Sequence, residues 1–168
     1  MPPALNLIPP VTFQVMKEGQ PAPLRSQEVF AGRSVALFGV PGAFTPTCHH
    51  IHLPSILSDY ESFKASGVDL VACTAVNDVF VMEAWRRALR APREILFLAD
   101  GNGDFARGLG LMFDGRTLGL GERSKRYAMW AINGSIQNLA VEPDPTLAEV
   151  SGAYALLRVL ESWDQGAA

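Results

Sequence analysis

Ser34-Val35-Ala36-Leu37-Phe38-Gly39-Val40-Pro41-Gly42-Ala43-Phe44-Thr45-Pro46-Thr47-Cys48 changes character halfway along. Through Val40 it is an apolar run of strand length. It lacks the alternation of a sheet wetted on one side, so it predicts a strand covered on both faces. Pro41-Gly42 ends that strand. Thr45 followed by Pro46 reads as a helix start, with threonine as N-cap and proline at the first helical position. Cys48 then falls at the third helical position. There the unpaired backbone N–H groups and the positive end of the helix dipole favour a thiolate. The stretch is a strand-to-helix elbow that presents an activated cysteine.

Working outward, Val11, Phe13 and Val15 alternate with polar residues as in a strand, and Lys17 to Gln20 reads as the turn after it. Beyond Cys48, Pro54 should kink or interrupt the helix, and Ile56, Leu57, Tyr60 and Phe63 keep helical spacing up to a C-cap at Gly67. Val68–Val76, which contains Cys73, predicts a second buried strand. Asp78 is placed to cap a helix with the stripe Val81, Ala84, Trp85, Ala88 and Leu89. Ile95–Leu98 predicts a short strand, residues 104–109 a helical piece, and the glycines from Gly108 to Gly121 an irregular stretch. Tyr127–Ile132 and Ser135–Val141 flank Asn133-Gly134, a strong hairpin signal. Thr146 with Glu149 reads as a capping box opening a C-terminal helix whose face is Leu147, Val150, Tyr154, Leu157 and Glu161. That order predicts an α/β protein with a thioredoxin-like fold: one domain over residues 1–168, an N-terminal extension, and a mixed sheet with helices on both faces.

The 168 residues suit one domain, and 48% hydrophobic against 18% charged residues is a globular balance. A net charge of −3 without a basic cluster argues against nucleic acid as a partner. No apolar run reaches the roughly 20 residues of a membrane span, so no membrane partner is expected. The first residues lack the charged beginning and long apolar centre of a secretory signal, which makes the cytoplasm the expected compartment. Two cysteines, Cys48 and Cys73, are too few for a disulfide framework or a structural zinc site. Cys48 and His52, four apart, could share a metal, but no second ligand cluster exists in the sequence, so no metal is expected. His49 and His50 are expected to be mainly exposed. The residue three after Cys48 is Ile51, which disfavours a Cys-x-x-Cys disulfide oxidoreductase.

Pro41-x-x-x-Thr45-x-x-Cys48, followed by His52-Leu53-Pro54, resembles the motif of peroxiredoxins in the redoxin superfamily, specifically the atypical type II group of peroxiredoxin 5 and the plant type II enzymes. The likeness continues in order through Val76-Asn77-Asp78, Leu98-Ala99-Asp100-Gly101-Asn102-Gly103, Leu109-Gly110-Leu111 and residues 121–129. It implies a thiol peroxidase that reduces hydrogen peroxide and organic hydroperoxides without a cofactor.

In that resemblance Cys48 is the peroxidatic nucleophile, cycling through a sulfenic acid, and Thr45 hydrogen-bonds thiolate and peroxide. Pro41 shields the site from water, and Arg126 holds thiolate and peroxide together by its fork of donors. Backbone N–H groups of Thr47 and Cys48 complete the donors, and Arg123 ranks second to Arg126 as a supporting or surface charge. Cys73 matches a second cysteine of some type II enzymes, while as a residue of an apolar strand it reads as a packed, inert thiol. The animal-type enzymes carry a resolving cysteine near the C-terminus, and residues 144–151 contain none here. The expected reductant is therefore external: glutaredoxin with glutathione, or thioredoxin. A homodimer packed around the active-site loops, with Phe44 and Phe80 at the surface, is also implied. The alternative is a redox-sensing or chaperone-like binding protein using the same cysteine as a switch.

Overall fold

The computed structural model describes residues 6–167. In chain order the elements are β1 (Thr12–Lys17), β2 (Gln20–Arg25), α1 (Ser26–Phe30), β3 (Ser34–Val40), a π-helical turn (Cys48–His52), α2 (Leu53–Ser58) and α3 (Tyr60–Ala65). They continue with β4 (Leu70–Ala75), α4 (Val79–Ala88), β5 (Ile95–Ala99), α5 (Asp104–Gly108), β6 (Met112–Asp114), a 3-10 turn (Arg116–Leu118) and β7 (Glu122–Ser124). The last elements are β8 (Tyr127–Ile132), β9 (Ser135–Val141) and α6 (Ala153–Ala167).

Seven strands form one mixed sheet in the order β2-β1-β5-β4-β3-β8-β9. β3, β4 and β5 run parallel, β8 returns antiparallel beside β3, and β1 pairs antiparallel with β5. The all-apolar look of β3 has the expected cause. Alternate residues enter two cores, Phe38 and Val40 meeting Ile56, Phe63 and Trp85, and Leu37 meeting Phe13, Phe105 and Tyr127. Gly39 is required between them, because a Cβ there would stand 2.0 Å from the Tyr127 ring. The chain belongs to the thioredoxin-like α/β class, as expected.

Several local expectations are corrected. β2 pairs with β1 across Glu18-Gly19, both at positive φ; Pro21 and Pro23 hide it in the sequence, and they are tolerated because β2 is an edge strand. The irregular glycine stretch contains the β6–β7 ribbon. Asp78 does cap α4, accepting from the Val81 N–H at 2.9 Å, but the buried face is Val79, Met82, Glu83 and Trp85, whereas Ala84 and Ala88 are exposed. Glu83 can be buried because Arg86 pairs with it at 2.6 Å.

The Thr146–Glu149 pair opens no helix. Thr146 bonds Asp144 in a tight turn, the Glu149 N–H goes to Glu142, and α6 begins at Ala153. Leu147, Val150 and Tyr154 are exposed accordingly, and the packed face is Ala153, Leu156, Leu157 and Leu160.

Candidate active site

The elbow lies at the carboxyl ends of the parallel strands, where an open α/β sheet gathers its loops. β3 delivers Pro41, and the Asn77 side chain at the end of β4 accepts from the Ala43 N–H at 2.9 Å, tying the two loops together. The helix begins at Pro46, so Cys48 is at its third position as expected. Thr45 is not a side-chain cap, however. Its hydroxyl donates to the Gly42 carbonyl at 2.7 Å, folding the loop back on itself, while its own carbonyl receives the His49 N–H.

From Cys48 to His52 the helix widens into a π turn, closed by the Leu53 N–H on the Cys48 carbonyl. The extra residue restarts the α-helix at Leu53. Pro54 then sits in a first turn, where its missing N–H costs nothing. The interruption expected at Pro54 is thus met one turn upstream, at the cysteine itself.

Cys48, His52 and Arg126 are buried together. Arg126 Nη2 donates to Cys48 Sγ at 3.1 Å, Nη1 to His52 Nδ1 at 3.0 Å, and Nε to the Pro145 carbonyl at 3.2 Å. His52 Nε2 faces the Ser151 carbonyl at 2.7 Å. An arginine can only donate and a carbonyl can only accept, so His52 carries its proton on Nε2 and presents a lone pair at Nδ1. Burial, then the Arg126 charge, lowers its pKa to about 4, and the imidazole is neutral.

Pro41 is buried, and its carbonyl receives Arg123 Nη1 at 3.4 Å, while Arg123 Nε donates to the Leu120 carbonyl at 2.9 Å. Arg123 therefore braces the proline loop, and its guanidinium lies so close over Gly42 that a Cβ there would stand 2.6 Å from it.

Pro41, Thr45, Phe113, Leu118, Leu120 and Arg126 line a mainly apolar cavity of about 410 Å³ that opens to solvent. Arg126 connects it to the sulfur. Of the residues singled out in the sequence, Pro41, Thr45 and Arg126 line this cavity, and Cys48 is not in its lining but touches Arg126. His49 is half-buried rather than mainly exposed, because the Trp85 indole N–H donates to its Nδ1 at 3.0 Å and Phe44 stacks on it; His50 is exposed.

Sequence reasoning missed the role of His52, whose place in the His-Leu-Pro element was the available signal. It also missed the wall supplied by Phe113, Leu118 and Leu120, for which a glycine-rich stretch gives no signal. Cys73, paired with Phe38 across β3 and β4, is fully buried, and burial pushes its thiol pKa well up, with the Cys48 charge adding to the shift.

The redoxin family model matches residues 4–157. Peroxiredoxin sll1621 of Synechocystis is 40% identical over 82% of this chain and 77% of its own. Peroxiredoxin-2C of Oryza sativa is 43% identical over 77% of this chain and 80% of its own. The crystal structure of reduced Prx3 from Vibrio vulnificus in complex with H2O2 superposes with a TM-score of 0.88 at 44% identity, covering 94% of this chain and 95% of that one. On this sequence likeness, with a matching fold, the chain belongs to the redoxin family as a peroxiredoxin of the type II group, an enzyme that reduces peroxides at the expense of thiols.

Proposed function

We propose that Cys48 attacks one oxygen of the peroxide bound in the Arg126 cavity and is reset by an external thiol. The observation that carries this is the 3.1 Å contact from Arg126 Nη2 to a buried Cys48 Sγ, made by an arginine that also lines the cavity. The three partners of Arg126 are a carbonyl, a neutral imidazole and the sulfur. A thiolate at Cys48 is the countercharge that buried cation lacks.

Attack forms the S–O bond as the O–O bond breaks, leaving a sulfenic acid and a hydroxide or alkoxide that takes a proton from water. Arg126 and the backbone N–H groups of Thr47 and Cys48 steady the charge that develops on the oxygens. Thr45, at the cavity wall, orients the peroxide through the lone pairs its hydroxyl keeps while donating to Gly42. Pro41 keeps water from the sulfur, and the apolar wall suits hydrogen peroxide and organic hydroperoxides alike. An incoming thiol then displaces water from the sulfenic acid as a mixed disulfide, and a second thiol releases the enzyme as thiolate.

The reductant is glutaredoxin with glutathione, or thioredoxin. Support comes from Cys73, whose burial in β4 makes it a poor resolving partner. Peroxide consumption with each donor in parallel is the test, on wild type and on Cys73→Ser. The variant should retain the rate, and complete loss would make Cys73 the resolving thiol.

The chain acts as one domain, in the cytoplasm, where two free cysteines stay reduced. It pairs as a homodimer beside the active-site loops, a reading supported by the exposure of Phe44 and Phe80. Sedimentation equilibrium reads the dimer directly, and a monomer at all concentrations contradicts it.

A further inference from the structure

A second buried charge stands behind the site. Glu142 follows β9 and is 5% exposed. Its Oε2 accepts from the Glu149 N–H at 3.1 Å, the Ser151 N–H at 3.0 Å and the Ser151 hydroxyl at 2.7 Å. Its own N–H donates to the Arg126 carbonyl at 2.8 Å. One carboxylate oxygen therefore closes residues 142–151 into a loop, and the rest of that loop is exposed or half-buried.

The loop meets the site through three carbonyls. Pro145 receives Arg126 Nε, Ser151 receives His52 Nε2, and Thr146 receives the Thr47 hydroxyl at 2.8 Å. Glu142 holds the Ser151 backbone directly, while Asp144 holds the Pro145–Thr146 turn inside the loop that Glu142 closes. Because the Ser151 carbonyl accepts from Nε2, it keeps the other nitrogen of His52 an acceptor for Arg126.

We propose that Glu142 is a positioning residue for the peroxidase reaction: through Ser151 and His52 it sets where the Arg126 guanidinium stands against Cys48. This rests on the Arg126 and Cys48 roles given above. The guanidinium touches neither Glu142 nor Ser151 by side chain, so the coupling is by geometry. A reacting group displaced by about an ångström loses a large factor in rate.

The test compares Glu142→Ala, Glu142→Gln, Ser151→Ala and Arg126→Gln with wild type, each checked for folding by its melting transition. Two quantities are read: the second-order rate constant for oxidation of Cys48 by hydrogen peroxide, and the pH profile of Cys48 alkylation by iodoacetamide. Glu142→Ala should lower the rate constant about tenfold and move the alkylation profile to higher pH. Glu142→Gln, whose amide oxygen can accept the same bonds, should recover most of both.

Ser151→Ala keeps both backbone bonds and should be slower by about threefold; it carries the test if the alanine variant of Glu142 does not fold. Folded Glu142 and Ser151 variants with a wild-type rate and profile, beside a slow Arg126→Gln, would overturn the inference and leave the Arg126 role standing. A wild-type rate in Arg126→Gln would overturn that role and the inference with it.

Discussion

Arg126 acquires its reach from what surrounds it. A surface arginine would spend its fork on water, whereas here each nitrogen has a fixed partner, and the sulfur is the one that can ionise to meet it. His52 has to stay neutral for this to work. Its folded-state pKa of about 4 lies below the ordinary 6.5, so between these values the unfolded chain binds more protons than the folded protein. Stability is therefore full above about pH 6.5 and falls as the pH drops towards 4, by on the order of 3 kcal/mol from this residue. Denaturant midpoints measured across that range should fall in wild type and fall much less in His52→Gln; equal slopes would show that His52 is not the group responsible. At this scale Cys48, Pro41, Thr45 and Arg126 were legible, the last only because a whole matched segment carried it. The pairing of His52 with Arg126 was not, because the His-Leu-Pro element marks the histidine without saying which distant arginine it will meet.

The central strands and the β8–β9 hairpin were readable to the residue or nearly so, since a buried parallel strand and an Asn-Gly turn each leave a local mark. The misreadings have physical causes. β2 carries two prolines because an edge strand needs fewer donors. The Thr146–Glu149 pattern has capping chemistry, but its donors and acceptors are used inside the loop that Glu142 closes. The π turn is a compromise between Pro54 and a helix that must begin at Pro46, and it left no periodic trace. α4 was readable at its start and, along its stripe, at Val81, Trp85 and Leu89, but not at the exposed Ala84 and Ala88. Asp78 satisfies one of its orphan N–H groups, so Asp78→Ala should cost about 1 kcal/mol in urea unfolding, with an unchanged midpoint contradicting the cap.

As a whole, the molecule shields its sulfur on one side with a core and on the other with three loops and a ribbon. Cys48 is fully buried, and its contact with Arg126 places the sulfur next to a residue that lines the cavity. Cys73 instead sits in the central strand β4, in register with Phe38. Both thiols are fully buried, and what distinguishes Cys48 is the guanidinium 3.1 Å from its sulfur. The most direct test is catalytic consumption of hydrogen peroxide with a thiol donor by Cys48→Ser and Cys73→Ser, side by side with wild type. Loss of turnover in Cys48→Ser, with Cys73→Ser remaining active, is the predicted result. Appreciable turnover in Cys48→Ser would contradict it.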